Sequence, residues 1–192
     1  MGTSRREQTK AQNRETILAA AKIVFATMGF AKVTVRDIIR ATPLASGTFY
    51  NYFKSKEEVY QALRDEIALQ VRPRLREARL AAASGEEFLA ANFRTFFTFV
   101  AERRDPERIA ETSRFRMDSP EVLAGFAELR EDLDAAMENG LIARTDAALL
   151  ASAMSGIALE LAEQVKQGTD VELVTRFATS LALGGISGLA RS

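Results

Sequence analysis

Two short apolar-periodic runs, near residues 35–41 and 46–52, stand on either side of Thr42-Pro43-Leu44-Ala45, and a longer helical pattern precedes both. No other feature limits the fold so tightly. In the longer run Ile17, Leu18, Ala21, Val24, Phe25 and Met28 recur at spacings of three and four, which is one face of an α-helix. Gly29 suits the left-handed residue that closes such a helix. Thr34 is placed to cap the second helix, with Asp37 in its first turn and Val35, Ile38 and Ile39 facing inward. The third helix is expected from about Ser46 to Tyr52. A longer helix burying two short ones joined by a tight turn gives a three-helix head on the helix-turn-helix plan.

The rest of the chain is also helical. Ser55-Lys56-Glu57-Glu58 fits a capping box. The helix it opens runs through Val59, Tyr60, Leu63, Ile67 and Val71 to Pro73, which is expected to kink or end it. Residues 74–83 are helical again and continue that rod or restart it. Ser84-Gly85-Glu86-Glu87 opens a helix to about Arg104. Pro106 starts a shorter one, and Ser119-Pro120 another that ends near Asn139-Gly140. Thr145 is expected to cap a helix from Asp146 to Gln167, and Asp170 to cap the last, which loosens at Gly184-Gly185. With about nine helices and no strand candidate, the fold class is all-α. The organisation expected is a flexible basic arm (1–12), a helix-turn-helix domain (13–56), and an effector-binding and dimerisation domain (57–192).

The chain has no histidine and no cysteine. That removes disulfides, zinc sites built on those residues, and nucleophile pairs that need imidazole. No enzyme and no cofactor are expected. No stretch has the roughly 20 uninterrupted apolar residues of a membrane span, and the polar N-terminus lacks a signal-peptide core. The expected location is cytoplasmic, with no membrane partner. Formal net charge is +0, but residues 1–56 hold ten basic side chains against Glu7, Glu15 and Asp37. A head of about +7 on a body of equal and opposite charge is the footprint of a phosphate-binding domain joined to something with another task.

In the helix-turn-helix plan the second short helix enters the major groove. Phe49 and Phe53, four apart, should point into the small core with Leu44. Ser46, Thr48, Tyr50, Asn51 and Tyr52 then offer hydroxyls, an amide and aromatic edges outward, groups that suit bases and phosphates. Gly47 lets backbone approach the duplex closely. Lys54 and Lys56 flank the N-terminus of the next helix as a phosphate clamp, and Thr34 and Arg36 sit similarly at the start of the second. The plainer alternative makes Tyr50, Tyr52 and Phe53 core aromatics. Exposed aromatics, a glycine and two lysines within ten residues fit core packing poorly.

Thr34-Val-Arg-Asp-Ile-Ile39 followed by Gly47-Thr-Phe-Tyr-Asn-Tyr-Phe-Lys-Ser-Lys-Glu-Glu58 resembles the signature of the tetracycline-repressor (TetR) family, over roughly residues 13–62. The resemblance implies a homodimeric repressor with a DNA-binding head and a divergent helical body that binds a small effector. It also implies DNA contacts at the positions of Thr34, Ser46, Thr48, Tyr50, Tyr52 and Lys56. Two departures stand out: Pro43 where the family usually has a turn glycine, and Ala45 where it has a serine cap. Proline cannot take the positive φ that such a glycine supplies, so the turn must be rebuilt, with Thr42 extended. Ser46 is the candidate to take over the cap.

Beyond residue 75 the resemblance fades. Phe88, Leu89, Phe93, Phe96, Phe97, Phe99 and Val100 spread over about half of one helix, with Asn92 and Arg103 inside the same arc. Either Arg103 snorkels at the helix end and Asn92 bonds internally, or both anchor an effector in a mostly apolar pocket. Phe115, Met117, Phe126, Leu129, Leu133 and Met137 are candidate walls, with core packing the plainer role for each. Residues 146–167 form a helix apolar over more than half its wheel, and with Val171, Val174, Phe177, Ala178 and Leu181 it fits a four-helix dimer interface. Glu160 and Gln164 fall on its apolar side, where Glu160 pairs across a dimer or meets a cationic effector. The function expected is a sequence-specific regulator. It would be a homodimer on a palindromic double-stranded DNA operator, relieved by a small, mostly apolar effector. The alternatives are a helical carrier or enzyme without DNA specificity, and an architectural DNA-binding protein.

Overall fold

The computed structural model describes residues 5–103 and 119–189, and among them finds eight α-helices and no strand. The fold is all-α, as the periodicity implies. The helix expected from Pro106 lies outside the described residues. The elements are α1 (Arg5–Met28), α2 (Val35–Arg40), α3 (Ser46–Tyr50), α4 (Lys56–Leu80), α5 (Gly85–Glu102), α6 (Pro120–Glu138), α7 (Ala147–Lys166) and α8 (Val171–Leu189). Two compact units result, one holding residues through Glu66 and the other holding residues 67–103 and 120–189. The division falls within α4, some ten residues past the boundary expected from the motif.

In the first unit, Ile17, Leu18, Ala21, Val24 and Phe25 of α1 close over Ile38, Phe49, Phe53, Val59, Tyr60 and Leu63. Phe25, Phe30 and Tyr60 meet edge-on or tilted, with centroids 4.9 to 5.7 Å apart, geometry favourable to aromatic quadrupoles. Met28, counted in the apolar stripe from its spacing, is exposed. Residues 5–12, expected within the basic arm, are helical and exposed. They lack an apolar face but are mostly good helix formers, so propensity extends α1 where periodicity gives no sign of it.

In the second unit α5, α6, α7 and α8 enclose a core of Phe88, Leu89, Phe93, Phe97, Leu133, Met154, Val174 and Ala178. Gly85 is required there: a Cβ would stand 2.2 Å from the Leu141 carbonyl oxygen. Asp146, not Thr145, caps α7, its carboxylate accepting from the Leu149 N–H at 2.9 Å. Nor does α8 loosen at Gly184-Gly185, since Ala182 and Ile186 anchor the helix on either side of them in the core. Pro73 lies inside α4, which is unbroken from Lys56 to Leu80.

Candidate nucleic-acid interface

The approach to α2 is set by a reciprocal cap. The Thr34 N–H donates to Asp37 Oδ2 at 2.9 Å and its hydroxyl to the same oxygen at 2.6 Å, while the Asp37 N–H donates to Thr34 Oγ1 at 3.4 Å. The hydrogen bonds from Thr34, first from its side chain and then from its backbone, hold the Asp37 carboxyl below its ordinary range.

The turn between α2 and α3 is rebuilt without glycine. Among the described residues only Gly29, Gly140 and Gly168 have positive φ, so no left-handed residue is used between the two helices. Thr42 takes the closing role. Its hydroxyl donates to the Ile39 carbonyl at 2.9 Å and accepts from the Leu44 N–H at 3.3 Å. The Ser46 cap expected for α3 does not form. Ala45 is the N-cap, in extended conformation (φ −67°, ψ 147°) with no side-chain bond, and Ser46 is the first helical residue. Helix α3 ends at Tyr50, two residues sooner than its pattern suggests, with Asn51 as C-cap.

This short helix is held from below and open above. Phe49 and Phe53 are buried and Leu44 packs beside them. Ser46, Gly47 and Asn51 are exposed, Tyr50 is 58% exposed, and a Cβ on Gly47 would meet nothing within 4 Å. Thr34, Arg36 and Lys54 are exposed as well. Two of the outward expectations change: Thr48 is half-buried, and Tyr52 packs against the core cluster. The turn after Tyr52 is fixed by Ser55 Oγ accepting from the Glu58 N–H at 3.2 Å. Glu58 Oε2 accepts in turn from the Lys54 N–H at 2.7 Å, one residue before the cap residue that a capping box would choose.

Lys56 is placed unexpectedly. Its ammonium is half-buried and donates to backbone carbonyls of the turn after α1 rather than standing clear on the surface. The basic surface also shrinks in other ways. Arg14 and Lys22 both pair with Glu66, and residues 57–66 add four acids against Arg64, which brings the head through Glu66 to +4.

The effector candidates of the body are dispersed. Phe93, Phe97 and Met137 are buried core, whereas Phe96, Val100 and Phe126 are half-buried. Phe115 and Met117 lie outside the described residues. Asn92 is buried but bonds internally, its carbonyl accepting from Arg79 Nη1 at 3.0 Å. Arg103, the C-cap of α5, lies over the Phe99 ring at 5.5 Å and reaches Gln70 at 3.4 Å. Glu160 and Gln164 are exposed in the single chain, because the broad apolar arc of α7 includes a face that this chain does not cover.

Sequence reasoning missed the polar centre of the body. Arg79, on α4, donates from Nε and Nη2 to Asp132 Oδ2 on α6 at 2.8 and 2.6 Å, and both side chains are buried. On the same two helices Arg72 bonds Glu128 and Glu121. The Glu128 carboxyl is thereby held below its usual range, chiefly by the hydrogen bond from Arg72. Thr175 and Thr179, one turn apart on α8, keep buried hydroxyls with no hydrogen-bond partner. Among the described residues no three metal-ligating side chains gather.

Residues 17–63 match the family model for bacterial regulatory proteins, tetR family. The whole chain is similar to the transcriptional regulator FadR from Bacillus subtilis, solved in complex with stearoyl-CoA. Identity is 25% over 90% of this chain and 98% of that one, with a TM-score of 0.72. It shares its fold with the fatty acid degradation regulator FadR from Bacillus halodurans (24% identity over 91% and 96% of the chains, TM-score 0.70). The same holds for a TetR-family regulator from Syntrophomonas wolfei (19%, 95% and 96%, 0.72). Residues 17–63 thus match the helix-turn-helix, DNA-binding head of the bacterial tetR-family regulators, and the chain shares the fold of transcriptional regulators of that kind.

Proposed function

We propose that the chain acts as a homodimeric, ligand-relieved repressor, setting two α3 helices in successive major grooves of a palindromic operator about 34–36 Å apart. The observation that carries this reading is the outward face of Ser46, Gly47, Tyr50 and Asn51 over a fully packed Phe49 and Phe53. Hydroxyl, amide and aromatic groups there can reach base edges and phosphates, while Arg36 and Lys54 beside them supply charge.

Support for a dimer comes from α7 and α8. Leu149 and Leu159 on one, and Leu173, Phe177 and Leu181 on the other, are each about half exposed or more. Apolar residues repeated along neighbouring helices in this way call for a self-complementary partner. Helix α7 is also long and apolar enough by length and composition to cross a membrane, yet Ala151, Met154, Ala158 and Val165 belong to the body core. The α7–α8 face is therefore assigned to a second copy. Glu160 lies on that face and pairs across it.

The effector we propose is a long-chain acyl thioester, the class present in the Bacillus subtilis relative. Support for that class comes from the Phe-rich α5 and the two unpaired hydroxyls of α8, since such ligands use mostly apolar walls with few polar anchors. Helix α4 begins in the head and ends in the body, so it is the element by which the effector biases the spacing of the heads. Only differential affinity for the two arrangements can drive that shift.

The test begins with selection of duplexes from a random pool. A two-fold symmetric motif, released by stearoyl-CoA at a ratio of one or two per dimer, is the result expected. Enrichment of nothing would return the chain to the carrier or enzyme reading, and a motif insensitive to stearoyl-CoA would overturn the effector class alone. Phe177→Glu should yield monomers in sedimentation and abolish binding to the two-fold site.

A further inference from the structure

We infer that Lys56 is a positioning residue of the DNA-binding head: it braces the turn that delivers α2, and through α2 aims α3, without touching a phosphate. The inference rests on the DNA-binding reading above but departs from the role that the family resemblance implies at this position. A lysine ammonium has three N–H donors and no acceptor. Lys56 Nζ lies 2.8 Å from the carbonyl oxygen of Phe30, 2.8 Å from that of Val33 and 3.4 Å from that of Ala31. Three donors therefore meet three acceptors. The ammonium also sits 4.6 Å from the centroid of the Phe30 ring, a further attraction that fixes it where it is. A phosphate could be reached only by giving up one of these carbonyls.

What the ammonium holds is the chain reversal after α1. Gly29 turns left-handed (φ 75°), and its carbonyl takes the N–H groups of Lys32 and Val33 at 3.2 and 3.3 Å. The carbonyls of Phe30, Ala31 and Val33 then converge on Lys56, the first residue of α4. Val33 is buried, and the next residue is the N-cap of α2. A displacement of this turn would pass straight to Thr34 and Arg36, and along the six residues of α2 to the Thr42 turn that starts α3. Lys54, two residues away and exposed, has no such constraint on its side chain, and it is the lysine placed to meet a phosphate.

The experiment uses the full chain, the duplex it selects from a random pool, and a scrambled duplex of equal length. Removing a side chain that neutralises one phosphate lowers the slope of log affinity against log salt by about 0.9. Lys54→Ala should lower that slope on both duplexes. Lys56→Met, which keeps the apolar stem, should weaken the selected duplex about tenfold, as displaced base recognition does, with slope and scrambled affinity unchanged. Lys56→Arg keeps the charge, but its flat fork cannot serve three converging carbonyls, so it should fail to restore the selected affinity. A slope lowered by about 0.9 in Lys56→Met, with Lys56→Arg near wild type, would establish phosphate binding by Lys56 and overturn the inference. A lowered melting temperature with both affinities intact would overturn it too, in favour of a purely structural role. Should Lys56→Met not fold, Lys56→Arg decides alone. If the wild type enriches no duplex, it is the DNA-binding reading that falls, a result distinct from any of these.

Discussion

Apart from Arg14 and Lys22, which pair with Glu66, and Lys56, which reaches the turn after α1, polar side chains of the head turn back on nearby backbone: Thr34 with Asp37, Thr42 with Ile39 and Leu44, Ser55 with Glu58. In the body, apart from the helix caps, they reach across to side chains far along the chain: Arg79 to Asp132, Arg72 to Glu128, Arg94 to Glu172. The first habit shapes turns and so aims a surface. The second pins one helix to another and so fixes their spacing. A unit that must present a fixed face is well served by the first, and a unit whose helices must hold or change their separation by the second.

Substitutions can break this contrast in graded steps. Asp132→Ala should have the largest effect, because it strands the buried Arg79 guanidinium; a loss of about 3–5 kcal/mol is expected from urea unfolding. An Arg79→Met, Asp132→Leu double variant should recover most of it, since replacing both partners removes the stranded charge. If the double variant is as unstable as the single, the pair does more than satisfy itself. Gly85→Ala comes next, forcing backbone apart at Leu141 and costing about 1–3 kcal/mol by the same measurement.

Thr34→Ala should lower the melting temperature by less and carry a pH signature. Because the Asp37 carboxyl is held below its ordinary value in the folded chain, its stabilisation is present above the unfolded value. It fades as pH falls through the folded one. The melting temperature of the wild type should therefore converge on that of Thr34→Ala as pH drops below about 4. Parallel curves down to about pH 2 would refute the cap as their source. Smallest is Arg94→Ala: the pair with Glu172 is half exposed on both sides. Its effect should be near the limit of detection and vanish in about 0.5 M salt.

The same contrast decides what could be read from the residues alone. Caps act over three or four positions, so Thr34, Ser55 and Ser84 announce themselves. Phe49 and Phe53 do too, since their spacing names the buried side of α3. The Arg79–Asp132 pair joins residues 53 apart, and no local pattern marks it. The exposure of Glu160 in the single chain could not be read, because a helical wheel shows which arc is apolar, not which arc the chain's own core covers. Lys56 sits at the matched position of its motif, but what its ammonium meets depends on where the turn at residues 30–33 comes to lie. Residues 5–12 were hidden for the opposite reason, being helical without any burial to give them a period.

The Thr42 turn changes the meaning of Pro43. Since no residue there needs a positive φ, returning the family's glycine would repair nothing. It would release the unfolded chain into more conformations, a cost of about 0.4–1 kcal/mol that no interaction in the folded protein records. The aim of α3 is thus secured partly by disorder the unfolded chain is denied.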